Sequence, residues 1–393
     1  MKTFEEKDYG AYIEQDFRYR WLRQDHLYHK LTKYEGLPCY SIKTIGKSAE
    51  GREVKKITWG NGPVKLLCWS QMHGNEPTAT MAIIDILNFL SANDVLNEYR
   101  QQLAQELTVA FIPMLNPDGA ETFNRRNSLG IDPNRDALAQ QTAEIQNLFK
   151  AVDDLKPQWC FNLHDQRNIF SAGSAANTAT ISFLAASADI EKKLTQTRKL
   201  SMSLIGLMHQ AITKMLPHHV GRYTDEYYHR ALGEHFHKND IPCVLVESGA
   251  YPGDPMRDMA RKANFIALIK AFEAIAFKQV NHQDTKAYFN IPENEMAMLD
   301  IIVRDCQIEG DSGLTTVDLG LLVEEKPNFK THQLENHFIL HDIGDLQFQY
   351  GIIEQQGGLL TSPYGELKLN APANFSVTLT DNSTIIFKNG AKQ

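Results

Sequence analysis

The strongest constraint on this chain is an alternation running through its first 280 or so residues, in which short apolar runs are separated by longer amphipathic stretches. Runs at 64–69, 108–114, 159–163 and 243–246 have the length of strands; stretches at 77–90, 137–152, 194–216 and 256–277 have the length and spacing of helices. This pattern predicts an α/β fold with a mixed, mostly parallel sheet covered by helices. Pro77 is expected in the first turn of its helix, where a missing N–H costs nothing.

Beyond about residue 280 the character changes. Segments such as MLDIIVRD, HFILHD and FSVTLT are short, often alternating, and divided by Gly, Asp, Asn or Pro. They predict a smaller C-terminal all-β domain of sandwich or barrel type. The expected organisation is a larger domain over residues 1–280 and a β-rich accessory domain over 281–393, and two domains suit a chain of 393 residues.

Charge narrows the partners. A formal net charge of −8 argues against a broad phosphate-binding surface, so nucleic acid is not expected. No stretch approaches the ~20 apolar residues of a membrane span, and the acidic MKTFEEKDYG start does not resemble a leader. The five cysteines are scattered singly with no CxxC pair, which predicts reduced, mostly buried thiols and a cytoplasmic location.

Four polar clusters follow, or end, the four predicted strands: His73 and Glu76; Asn116-Pro117-Asp118-Gly119; His164; and Glu247. In open α/β sheets the carboxyl ends of the strands share one edge, where ligands bind, so residues distant in sequence can converge there. An imidazole and a carboxylate three residues apart at a strand-to-helix turn can face one cation, with Gly74 expected to allow the bend. His164 is the natural third ligand, because catalytic zinc takes three protein groups and keeps one position open. Between residues 116 and 136, Arg125, Arg126, Asn134 and Arg135 gather fixed donors able to grip a carboxylate or steady an oxyanion. Glu247, at the end of CVLVE, suits a general base, although a buried glutamate paired with an arginine is the plain alternative.

In order and spacing these residues resemble the M14 zinc carboxypeptidase family: HxxE, then NPDG, then an RxNxxGxD loop ending in Asn-Arg, then strand-end His and Glu. The resemblance spans roughly residues 40–280 and includes a hairpin-like segment at 45–63. It implies one Zn2+ held by His73, Glu76 and His164, with Glu247 activating water. It further implies that Arg125 polarises the scissile carbonyl, with Arg126 as the fallback, and that Asn134 and Arg135 hold the substrate carboxylate. Asp132 would orient His73 through its far ring nitrogen. The implied substrate is a peptide or acyl amino acid with a free carboxylate.

The chain departs from the family pattern in three places. DPNRD stands where DLNRNF is usual, and Asp165-Gln166-Arg167 follows the metal histidine where small residues are usual. The family's mobile tyrosine has no clean match, and spacing back from Glu247 favours Tyr223. His218, His219, His229, His235 and His237 are expected in solvated or capping roles. Gly310-Asp311-Ser312-Gly313 imitates a serine-nucleophile motif but suits a turn, and Gly46-Lys47-Ser48 lacks the upstream glycine of a P-loop. Two other functions share these residues: an N-acyl amino acid deacylase of the aspartoacylase/succinylglutamate desuccinylase type, and a non-catalytic peptide-binding protein on the same scaffold.

Overall fold

Eight strands form the sheet that positions the candidate site: β1 (Tyr40–Lys47), β2 (Glu53–Trp59), β3 (Val64–Trp69), β4 (Leu107–Ile112), β5 (Trp159–Asp165), β6 (Ile181–Ala185), β7 (Val220–Arg222) and β8 (Cys243–Ser248). Their order in space is β1-β2-β4-β3-β5-β8-β6-β7 in this computed structural model, which describes residues 2–310, 313–362 and 367–393. The four central strands, β4, β3, β5 and β8, run parallel. The hairpin β1–β2 joins β4 antiparallel at one side, and β6 joins β8 antiparallel at the other. The predicted mixed, mostly parallel sheet is therefore present, and its four central strands are the four apolar runs.

Those runs are apolar throughout because both faces of the sheet are covered. The helices of this unit are α1 (Gln24–Leu31), α2 (Thr78–Ser91), α3 (Asn97–Glu106), α4 (Pro117–Glu121), α5 (Ala143–Leu155), α6 (Gln196–Ile212), α7 (Leu232–Lys238), α8 (Asp258–Ala276) and α9 (Lys286–Phe289). Leu67, Trp69 and Cys160 pack with Ile145 and Leu148 of α5 and Phe236 of α7. The neighbouring residue of β5, Phe161, points the other way and meets Phe272 of α8, ring centroids 6.1 Å apart. Burying each such side chain contributes roughly 1.5–3 kcal/mol.

Element ends differ from expectation for identifiable reasons. The helix expected from residue 137 starts at Ala143, because the buried carboxylate of Asp136 accepts from the Thr142 N–H and hydroxyl and holds the intervening residues as a loop. Pro77 is the N-cap of α2 rather than its first helical residue. α6 and α8 are each a few residues shorter than the stretches that announced them.

The chain divides into two compact units: Met1–Gln166, Ala179–Gly249 and Met256–Asn294 in one, Arg167–Thr178, Ala250–Pro255 and Glu295–Gln393 in the other. The expected cut at 280 thus lies within the first unit. α9 belongs there because Tyr288 is buried and its hydroxyl accepts from the Ala185 N–H at 3.3 Å.

In the second unit, β9 (Met298–Gly310), β10 (Gly313–Asn328), β11 (Gln333–Gly344), β12 (Tyr350–Thr361), β13 (Ala371–Pro372), β14 (Phe375–Leu379), β15 (Thr384–Lys388) and β16 (Ala391–Lys392) form one eight-stranded sheet. Among the described residues of this sheet, only the β9–β12 pairing is parallel. Ile301, Val303, Leu319, Phe375, Val377 and Phe387 are among its core residues. Asp311 and Ser312 of the GDSG sequence lie outside the described residues. No helix among the described residues is long and apolar enough to cross a membrane.

Candidate active site

Beyond β3 the backbone turns at Gln71, a buried non-glycine residue at φ 43°, whose side-chain amide donates to Leu22 O and Gly74 O. Gly74 is required for a different reason from the one expected. A Cβ there would stand 1.9 Å from the carbonyl carbon of Gly119, so the His73–Glu76 loop and the Asn116–Gly119 turn touch backbone to backbone. Asn116 builds that turn: its Oδ1 accepts from Gly119 N–H at 2.9 Å and its Nδ2 donates to Met72 O. Asp118, next in the turn, is buried and accepts from Ser48, Arg52 and Ser128. The Ser48 of the P-loop-like sequence thus fastens the β1–β2 hairpin to this loop.

His73, Glu76 and His164 are all buried, and one donor atom from each lies within 4.8 Å of the others. Nδ1 of His73 is 2.8 Å from one Glu76 oxygen, Nδ1 of His164 is 2.8 Å from the other, and the two Nδ1 atoms are 3.2 Å apart. Nε2 of His73 faces Asp132 Oδ1 at 3.1 Å. A proton on Nε2 serves that contact and leaves the Nδ1 lone pair directed at Glu76 and His164. Two imidazole nitrogens and a carboxylate crowded this closely need positive charge among them, and this donor set is one that zinc accepts. The residues therefore fit such an ion.

The electrostatics agree. Burial opposes the charge of Glu76, but His73 and His164 hold its carboxyl well below the ordinary range. Asp132 is likewise lowered against its burial by His73 and Arg125. Burial lowers His164, keeping the imidazole neutral and able to offer a lone pair.

Glu247 sits in direct register with His164 across the parallel β5–β8 pair. Its Oε2 is buried and has no hydrogen-bond partner among the described residues. Burial, then the carboxylates of Glu76 and Asp165, raise its proton affinity well above the ordinary carboxyl value. Among the described residues no arginine stands within ion-pair distance of it, though the charges of Arg125 and Arg257 partly offset that rise. Asp165 turns away to a structural network. It accepts from the Thr78 hydroxyl at 2.6 Å and lies 3.5 Å from Arg257, which also donates to Ser248 O and Gln166 O and so ties the ends of β8 and β5 together.

The arginine loop is shaped by Asn127, whose Oδ1 accepts from the Leu129 and Ile131 N–H groups while its Nδ2 donates to Glu144. Arg125 reaches the ligand trio: Nη1 is 3.1 Å from His73 Nδ1 and 3.2 Å from Glu76 Oε1, and Nη2 is 3.0 Å from Asp132. Asn134 is buried, and its Oδ1 accepts from Leu232 N–H at 3.1 Å, which leaves the Nδ2 donor. Arg125, Arg126, Asp132, Arg135 and Arg230 line a cleft of about 540 Å3. The DPNRD departure does not intrude, because Asp136 faces inward to Thr142.

Residues 34–178 match the model of the peptidase M14 family, described as zinc carboxypeptidase. Over this stretch the chain is similar to the M14 zinc carboxypeptidases. The chain is 34% identical over 116 residues to Carboxypeptidase 2 of Trichophyton rubrum, covering 28% of this chain and 20% of that protein. It is 30% identical over 94 residues to Carboxypeptidase D of Mus musculus, covering 22% of this chain and 7% of that protein. The alignment thus spans about a fifth or less of these curated relatives. In fold the chain resembles a metallo-carboxypeptidase from Burkholderia cenocepacia, with a TM-score of 0.52 at 15% identity, covering 65% of this chain and 70% of that one.

Two residues near the site escaped the motifs. Tyr223 follows β7, with its N–H donating to Phe183 O, but the ring beside Arg135 is that of Tyr228, 5.3 Å from the guanidinium. Arg230 enters the cleft from the same segment, its carbonyl accepting from the Ala137 N–H. Neither residue belongs to a local pattern; both are delivered by the fold of the 223–232 loop. His237 is neither solvated nor a cap. It is buried, donating from Nδ1 to Ala186 O at 2.6 Å and accepting at Nε2 from Cys243 N–H at 3.1 Å.

Proposed function

We propose that this chain is a zinc-dependent hydrolase of the metallocarboxypeptidase type, cleaving an amide or peptide bond adjacent to a free carboxylate. The observation that carries the reading is the His73–Glu76–His164 convergence, with Arg125 touching two members of the trio and Glu247 in register with the third.

One zinc ion held by His73, Glu76 and His164 would supply Lewis acidity toward water and the scissile carbonyl. Glu247 takes a proton from the attacking water and passes it to the departing nitrogen, a role suited to a carboxylate oxygen without a hydrogen-bond partner among the described residues. Arg125 donates to the carbonyl oxygen as negative charge develops there. Asn134 Nδ2 and the Arg135 guanidinium hold the terminal carboxylate, and this pins the bond to be cut. Asp132 keeps His73 in the tautomer that presents Nδ1.

The test is hydrolysis of N-benzoylglycyl dipeptides by zinc-loaded protein, alongside the same peptides with amidated C-termini and N-acyl aspartate or glutamate. Cleavage of the free-acid dipeptides, loss of cleavage on amidation, and loss on chelation are expected. Hydrolysis confined to the N-acyl amino acids would replace the carboxypeptidase reading with the deacylase one. Zinc binding without any hydrolysis would leave a binding protein.

A further inference from the structure

The cleft beside the ligand trio holds more positive charge than one carboxylate requires. Four arginines, Arg125, Arg126, Arg135 and Arg230, are among its lining residues, with Asp132 as the acidic one named among them. Asp132 is already committed to His73 and Arg125. Among the described residues, Arg126, Arg135 and Arg230 have no ion-pair partner. By contrast Arg52, Arg100, Arg198 and Arg261 each hold a carboxylate of this chain. This concentration stands out in a chain whose net charge is −8.

Nor are the unpaired arginines collapsed onto the protein. Arg126 gives one donor to Gly130 O, and Arg135 gives one to Asn134 O while its guanidinium lies against the Tyr228 ring. An arginine fork has five donors, so most stay available. Arg135 with Asn134 accounts for one substrate carboxylate and Arg125 for the scissile carbonyl. Arg126 and Arg230 remain unassigned, and like charges held around one cavity repel unless an anion enters.

We propose that the residue released by this enzyme carries a second carboxylate on its side chain, as glutamate or aspartate does, and that Arg126 and Arg230 receive it. This rests on the hydrolase reading above, which fixes the terminal carboxylate at Asn134 and Arg135. A bidentate guanidinium–carboxylate contact forms only with the acidic side chain, so the uncharged amide of the same shape leaves the arginines without their partner.

The test compares kcat/KM of the zinc-loaded full chain for N-benzoylglycyl-glutamate, -glutamine, -phenylalanine and -lysine. Glutamate is expected to exceed glutamine by about tenfold or more, the factor that a charge-assisted contact supplies. Arg230→Met and Arg126→Met should each lower the glutamate-to-glutamine ratio severalfold; both residues are exposed, so folding is expected to be preserved, and a circular dichroism melt checks it. Equal rates on glutamate and glutamine, or a preference for phenylalanine or lysine, overturn the inference while leaving the hydrolase reading intact. If no dipeptide is cleaved, that reading fails and the inference goes with it.

Discussion

His164 and Glu247 stand opposite each other on the adjacent parallel strands β5 and β8. Neighbouring strands lie about 4.8 Å apart, so the register alone brings a candidate ligand and a candidate base to the same place. A slip of one residue would turn Glu247 to the other face of the sheet.

Glu247→Gln keeps the shape of the side chain and removes its basicity. Zinc content measured by emission spectroscopy should stay near that of the unmodified protein, while kcat falls by about 10²–10⁴-fold, the usual contribution of a general base. Loss of zinc together with activity would place Glu247 among the ligands instead.

Arg135 and Arg125 should separate kinetically. The terminal carboxylate is held equally in ground and transition states, so Arg135→Met should raise KM about 10–100-fold with a smaller change in kcat. Charge on the carbonyl oxygen appears only in the transition state, so Arg125→Lys should lower kcat by about 10²–10³-fold. The opposite split in steady-state kinetics would exchange their roles.

His237 predicts part of the acid sensitivity of the fold. Burial lowers its pKa to about 4, well below the ordinary imidazole value of about 6.5. Between those two pH values the unfolded chain binds the proton and the folded chain does not, so this contribution is fully present above about pH 6.5 and is lost as pH falls toward 4. The loss amounts to about 3 kcal/mol. Urea midpoints across this range should fall more steeply for the unmodified protein than for His237→Gln, and parallel curves would remove His237 as the cause.

Asp85 and Arg261 form a fully buried ion pair, with Arg261 Nε donating to Asp85 at 2.7 Å and Tyr9 adding a hydroxyl donor at 2.9 Å. Burial raises the Asp85 carboxyl even against the pull of Arg261. Arg261→Met leaves that carboxylate buried without its cation and should cost about 3–5 kcal/mol in chemical denaturation. The double variant with Asp85→Leu should recover much of the loss, because two apolar groups replace two desolvated charges. No recovery would show that packing, not charge, dominates this site.

The central strands were legible because burial on both faces leaves an unbroken apolar run, and the polar clusters at their ends then follow from sheet geometry. His73, Glu76, His164 and Glu247 each sit within a few residues of such a run, so the sequence by itself determined which residues could meet at one edge. Local patterning could not determine Tyr228 and Arg230, which a loop lacking periodicity carries to Arg135. It also could not determine that Asp165 turns to Thr78 and Arg257 while one Glu247 oxygen meets no partner among the described residues. The need for Gly74 likewise arises from contact with a turn more than forty residues away. Strand identity is written in the chain because burial acts on each residue in its own neighbourhood. Partners across loops were decided only by the tertiary structure, because which donor reaches which acceptor depends on close packing between segments that share no local signal.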